Sequence, residues 1–466
     1  MIRDQLAEFS IGLNYTSIPT AVTAEVKRLL LDHVSSMLAG PKVFSTELPD
    51  LPKRVSQQGG RPESTVIGVP GRFPCNGAVF ANTAMGFTGC DAWHKPSTLH
   101  VPAVLFSAAI AVAESVQASG RQLVESIVAG AEVMIRVSEA LGSRNIYARG
   151  FHPTSVCGPI GCAVATGRLL GLTELQMAEA ISTAAVHSAG SSIWRGARTP
   201  ATFCVQIGRA AESGVLAAQL AADGCYGVDR IFEDPRGFPA SYAGEADLCA
   251  FTHELGTTFR IARLMMHRFW FGPYLLTSVE ALIDLMSEHN LGPSDFDSIQ
   301  ARIPHGVVPL IGAVEYPQNR LATLTTLRYA LSVVAHMGND ALYTPDVSSP
   351  TSMMDPSVKS LFERVTVTGD DELDLGFPGT EASILTLKTR DGRKFERRHN
   401  GPVRGDPDNP LSDSEVREKF DVMATPTLPA GGRDQIITTI NRIDCLEDVR
   451  QLSSLWAVDG TNQHDD

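Results

Sequence analysis

Apolar residues recur every three or four positions through most of the chain up to about residue 255. In TAVTAEVKRLLLDHVSSMLAG, Val22, Val26, Leu29, Leu30 and Met37 share one face at helical spacing, with Pro19 before the start and Gly40 at the end. That pattern predicts a helix closed at Gly40. PAVLFSAAIAVAESV, QLVESIVAGAEVMIRVSEAL, GPIGCAVATGRLLGL, LQMAEAISTAAVHSAG and GRAAESGVLAAQLAADG continue the same period. Their apolar faces are crowded with Ala and Gly, which predicts helices that approach one another closely. The longest apolar run, 101–113, is shorter than the roughly 20 residues that span a bilayer, so it predicts a buried helix.

The period changes beyond residue 255. DFDSIQARIPHGV and SLFERVTVTGD alternate apolar and polar residues as strands do. ASILTLKTRDGRKFERR reads as two strands joined at Asp391-Gly392, because Gly tolerates the positive φ of a tight hairpin turn. The helical patterns LTSVEALIDLMSEH and LTTLRYALSVVAHM lie between these strands. GDPDNPLSDSEVREKF begins a further helix after a polar, Pro-rich loop, and the last forty residues are helical in pattern before a polar end. No internal repeat and no long low-complexity segment is visible.

Composition narrows the function classes. Of 466 residues, 43% are hydrophobic and 20% charged, an ordinary globular balance for two or three domains. The formal net charge of -13 disfavours nucleic acid and anionic membranes as partners, yet leaves room for an anionic substrate in a local basic pocket. None of the eight cysteines forms a C-x-x-C pair, which reads as reduced thiols rather than a disulfide framework or zinc site. Met1-Ile-Arg-Asp-Gln offers no secretory n-region or h-region, so a cytoplasmic protein is expected.

Two polar stretches stand out. DAWHKPSTLH gathers Asp91, Trp93, His94 and His100 within ten residues. Its H-x5-H spacing is not the i, i+4 pair of zincins and no cysteine cluster accompanies it, so no metal is expected there. Asp91 either orients an imidazole or serves as a helix cap or loop residue, and Trp93 either walls a pocket or fills core. GFHPTSVCGPIGC puts His152 at a loop-to-helix junction, where it either faces a cleft or caps the helix. An imidazole there suits proton transfer near neutral pH. No G-x-G-x-x-G after a strand, P-loop or G-x-S-x-G elbow suggests a nucleotide, a flavin or a serine nucleophile.

Taken together, SIPTAVTAEVKRLLLDHVSSMLAG, STVIG at 64–68, DAWHKPSTLHVPAVLFSAAIAVAE, GFHPTSVCGPIGCAVATGRLLGLT and GDPDNPLSDSEVREKF resemble the MmgE/PrpD family, in the same order from about residue 10 to 455. That family includes 2-methylcitrate dehydratases, cis-aconitate decarboxylases and iminodisuccinate epimerases. The resemblance implies a mainly α fold. A large all-helical domain is formed by both chain ends (1–261 and 401–466), with a smaller α+β lid domain inserted at 262–400 and the active site in the cleft between them. It also implies a homodimer, no metal or organic cofactor, and proton transfer beside a carboxylate.

Residue by residue, Asp91, His94, His100 and His152 match the family's polar loop and Gly-Phe-His-Pro motifs, and Tyr329 matches its later tyrosine. The second Asp of the loop is Ala92 here. Two family lysines fall at Phe203 and His267, and a histidine falls at Leu276. The resemblance therefore implies acid/base roles for His152 and His100, with Asp91 orienting or polarising one of them. It places Trp93, Phe203, Arg198, His267, Arg268 and Tyr329 around the substrate. Arg198, Arg209, His267 and Arg268 are the cations nearest the altered positions, and each can equally be a solvated charge. The expected activity is that of a lyase, dehydrating or decarboxylating an alkylcitrate-like or larger carboxylated natural-product intermediate of secondary metabolism. The alternatives are an epimerase or cyclase of a less charged substrate, or a binding or assembly protein that has lost lyase activity.

Overall fold

The computed structural model describes residues 1–45, 47–48, 50–193, 201–375 and 381–456. It is mainly α and divides into two compact units. The first holds both chain ends, up to residue 265 and again from 413, and the second holds 266–412.

Helices α1 (Ile2–Gly12) and α2 (Thr20–Val43) open the first unit. Contrary to the expected stop at Gly40, α2 continues through Gly40 and Pro41 to Val43. A Cβ on Gly40 would collide with the carbonyl oxygen of Met85. This glycine therefore permits a close helix contact rather than ending the helix. Strands β1 (Ser64–Val66) and β2 (Val69–Phe73) follow as an antiparallel hairpin turned at Gly68, whose φ is +75. The first unit is thus not purely helical, as the resemblance had implied. A three-residue strand, buried at every position, is too short to show an alternating period.

Next come α3 (Cys75–Gly86), α4 (Val101–Val116), α5 (Gly120–Leu141), α6 (Pro153–Leu169), α7 (Glu174–Val186) and α8 (Ala201–Ala222). The apolar run at 101–113 is the buried helix α4, closed by Gln117 at φ 56. Its one buried acid, Glu114, accepts from the Thr65 N–H at 2.6 Å and the Thr65 hydroxyl at 2.7 Å, which ties β1 to the helix. Helix α6 is central: it packs on α4, α5, α7 and α8, and every position but Arg168 is buried. Small residues make that possible. A Cβ on Gly130 of α5 would lie 2.6 Å from the carbonyl oxygen of Gly161 of α6, closer than any side chain permits.

In the second unit, α9 (Leu276–His289), α10 (Leu327–Met337) and α11 (Pro356–Phe362) accompany a four-stranded sheet. Its strands are β3 (Phe296–Ile303), β4 (Val365–Gly369), β5 (Ser383–Thr389) and β6 (Lys394–His399), in the order β4-β3-β5-β6. β4 runs parallel to β3, and β5 runs antiparallel to both β3 and β6. The β5–β6 turn has Gly392 at φ +88, as the Asp-Gly pair predicts. In SLFERVTVTGD the strand begins only at Val365, since Ser360, Leu361 and Phe362 close α11.

Helices α12 (Asp413–Ala424) and α13 (Ala430–Asn441) return to the first unit and pack on α2. The division falls later than the expected 261 and 400. Met266 donates its N–H to Gly405 at 2.9 Å, and Arg404 donates its N–H to Glu280 at 2.9 Å. These bonds hold residues 401–412 in the second unit, although their composition reads as a linker. No described helix is long and apolar enough to cross a membrane.

Candidate active site

The polar loop after α3 is fixed by its backbone. Trp93 and Met265 exchange two N–H···O bonds of 2.9 and 2.8 Å. His94 and Leu99 do the same at 2.8 and 3.3 Å, closing a turn in which Thr98 takes φ 52. Trp93 is buried in this bridge and is core by its position. His94 turns inward: its Nδ1 meets the Ser97 hydroxyl at 2.7 Å and its Nε2 lies 4.0 Å from Glu139. Its Nδ1 is engaged in shaping the loop.

His100 stands at the N-cap of α4 and His152 at the N-cap of α6. The His100 N–H donates to the Thr154 hydroxyl at 3.1 Å, so the two helix starts are joined. The His152 N–H donates to Gly190 at 3.0 Å, and its Nδ1 lies 3.1 Å from the Ser155 hydroxyl. Phe203 enters from the first turn of α8. Its ring meets His152 edge-on at 4.9 Å and Phe87 at 4.8 Å, and Phe87 meets His100 at 5.1 Å. The result is a row of four rings with an imidazole at each end. Phe87 was not singled out from the sequence, where it is one more apolar residue closing a helix.

Burial pushes the His100 imidazole down to about 4, and its Nδ1 is buried with no hydrogen-bond partner among the described residues. Helix N-termini add positive potential that opposes the imidazolium. A neutral ring of this kind can accept a proton or donate its own N–H to a developing oxyanion.

Asp91 has no exposed surface. Burial, followed by the nearby charge of Asp32, raises its carboxyl to about 7. Its Oδ2 accepts from the Gly89 N–H at 3.1 Å, and its Oδ1 has no hydrogen-bond partner among the described residues. No imidazole bonds to it among the described residues, and a carboxyl raised to about 7 can give or take a proton near neutral pH. Two residues behind Asp91 escaped the sequence reading. Lys419 of α12 and Asp32 of α2 form a fully buried pair at 2.5 Å. Their signal was an acid inside the apolar stripe of α2 and a lysine inside the Lys-Phe end of a recognised motif.

The remaining expected residues are dispersed. His267 and Tyr329 are buried in the second unit. There the His267 Nδ1 meets the Phe271 carbonyl at 3.1 Å and the Tyr329 hydroxyl donates to Val347 at 2.6 Å. A tyrosine so bonded is a core residue. Arg268 lies over the Phe269 ring at 5.7 Å. Arg209 is exposed, paired with Glu212 and stacked on Phe80. Arg198 falls outside the described residues. Among those described, the only acid and histidine group close enough to share a metal ion is the largely exposed His305, Asp371 and Asp374. None of the candidate residues belongs to it.

Three buried histidines give a stability prediction. His33, His94 and His100 are pushed by burial to about 3, 3 and 4. In the unfolded chain each titrates near its ordinary value of about 6.5. A depressed folded value stabilises the protein above that pH, and the contribution is lost as pH falls toward the folded value. His33→Gln can still bond the Ser107 hydroxyl, which lies 2.9 Å from the His33 Nε2, but cannot take a proton. Its denaturation midpoint should therefore gain on wild type as pH drops from about 7 to about 5. A constant difference between the two proteins across that range would overturn the assignment.

The chain matches the MmgE/PrpD N-terminal domain over residues 4–249 and the MmgE/PrpD C-terminal domain over 274–444. These helical-unit histidines and the inserted sheet accordingly belong to a lyase of the decarboxylase or dehydratase kind, and the chain is a member of the MmgE/PrpD family. It is similar to cis-aconitate decarboxylase of Homo sapiens, 27% identical over 474 residues that cover 97% of this chain and 94% of the relative. It is also similar to the cis-aconitate decarboxylase-like protein oryM of Aspergillus oryzae, 25% identical over 484 residues and covering 97% and 96%. Cis-aconitate decarboxylase of Aspergillus terreus is 23% identical over 482 residues, covering 97% and 95%.

Proposed function

We propose that this lyase removes water or CO2 from a carboxylated substrate that is less charged and more apolar than citrate or cis-aconitate, using side chains alone. The observation that supports this reading most directly is the ring row from His100 through Phe87 and Phe203 to His152. It sets two imidazoles on either side of an apolar wall. His100 and His152 are the groups that pass protons to and from carbon, and Asp91 supplies or receives a proton near neutral pH. In a dehydration one group takes the proton beside the carboxylate while another protonates the departing hydroxyl. In a decarboxylation CO2 leaves with its carbon–carbon bond broken, and a proton donor quenches the carbanion.

The wall argues for the apolar substrate. Phe203 cannot donate a charge-assisted hydrogen bond, and each one lacking forfeits about 1.5–3 kcal/mol of carboxylate binding. It favours alkyl surface by about 25 cal/mol per Å² buried. Alkylcitrates and larger carboxylated natural-product intermediates meet that description. A panel of citrate, 2-methylcitrate, longer alkylcitrates and cis-aconitate, with products read by NMR, tests it. The alkylated substrates should show the highest kcat/KM. A citrate or cis-aconitate that outperforms all of them refutes the apolar-wall reading.

A further inference from the structure

Behind the polar loop, Lys419 and Asp32 are buried without exposed side-chain surface, although they come from opposite ends of the chain. The Lys419 ammonium lies 2.5 Å from the Asp32 carboxylate and donates to the Cys90 carbonyl at 3.0 Å. Cys90 immediately precedes Asp91, so the ammonium grips the backbone that carries the Asp91 carboxyl. A buried lysine is rare unless paired, and this one is paired to a second acid while a third group, Asp91, stands within reach of both charges.

We propose that Lys419 and Asp32 are positioning residues for Asp91: the ammonium fixes the Cys90 backbone that carries the Asp91 carboxyl, and the buried Asp32–Lys419 pair sets the charge around that carboxyl. Asp32 is the acid in contact with the ammonium, and Asp91 bears the cost of a like charge nearby. The charged groups acting on Asp91 are Asp32 from α2 and Lys419 from α12, and Cys90 is the titratable neighbour on its own loop. Cys90 stays a thiol, because burial pushes it up to about 12. His33, next along α2, is turned to Ser107. Burial opposes the Lys419 ammonium, but the surrounding negative charge outweighs that and raises its pKa, so it remains charged throughout.

The use of Asp91 in turnover rests on the function proposed above, whereas its protonation can be read without substrate. Infrared difference spectra follow the C=O band of the buried protonated carboxyl, assigned by its loss in Asp91→Asn. The wild-type band should titrate near pH 7. In Asp32→Asn the midpoint should fall by about one pH unit or more, because a like charge is removed and the ammonium is left unneutralised. In Lys419→Met it should rise, and Lys419→Arg should restore it.

If Lys419→Met does not fold, Asp32→Asn/Lys419→Met takes its place, since it removes both charges together. Its midpoint should lie above that of Asp32→Asn. Folded variants whose Asp91 band titrates at the wild-type pH overturn the proposal, because a merely structural pair would change stability and leave that midpoint alone. The pH–rate limb is read in the same variants. A limb that stays put while the band moves counts against the use of Asp91 in catalysis and still supports the effect of the pair on its carboxyl.

Discussion

His152→Ala should lower kcat by about 10²–10⁴-fold, the range that one positioned proton-transfer group contributes. The chain should stay folded. The His152 backbone bond to Gly190 does not involve the side chain and survives the substitution. The contacts removed include those with the Ser155 hydroxyl, the Phe203 ring and the Tyr147 ring. An aromatic pair of that kind contributes about 0.5–1.5 kcal/mol beyond its buried area, a minor part of the stability of a chain this size. Circular dichroism and a thermal scan establish the fold, and steady-state kinetics separate kcat from KM. A group that moves a proton in the transition state lowers kcat, while one that only holds substrate raises KM. A folded variant with wild-type kcat would remove His152 from the proton-transfer step.

Phe203→Lys should invert the substrate preference. The new ammonium would stand between the two imidazoles, where the phenyl ring now meets His152 and Phe87. One charge-assisted hydrogen bond to a carboxylate is about 1.5–3 kcal/mol, and each 1.4 kcal/mol is tenfold. The ratio of kcat/KM for cis-aconitate to that for an alkylated substrate should therefore rise by about 10–100-fold. The same change removes the ring contacts with His152 and Phe87, so the melting temperature should fall. Phe203 is only 4% exposed, and a lysine there has little water to reach. A lysine so enclosed would sit with a lowered pKa, and the gain on cis-aconitate should be largest below that value. An unchanged preference in the folded variant would show that Phe203 does not face the substrate.

The mainly α architecture, the buried helix at Val101–Val116 and the β5–β6 turn could be read from the chain because each rests on local order. An apolar run, a helical period or an Asp-Gly pair states its preference within a few residues. The positions of His100 and His152 at helix starts were equally legible, since Pro102 and Pro153 mark those starts. The rest depended on what comes close in space. Gly40 looked like a helix end, and only the neighbouring Met85 carbonyl reveals it as a packing contact. His94 shares a polar loop with His100, and only the folded turn directs its Nδ1 to Ser97.

Asp91 is the clearest case. Its sequence neighbours do not predict a carboxyl raised to about 7. That value comes from exclusion of water and from Asp32, with Lys419, brought in from the far end of the chain, working against them. Helical period and turn chemistry are properties of short segments and survive in the sequence. Proton affinity is set by burial and by the charges within a few ångströms, and those are assembled only when distant segments fold together.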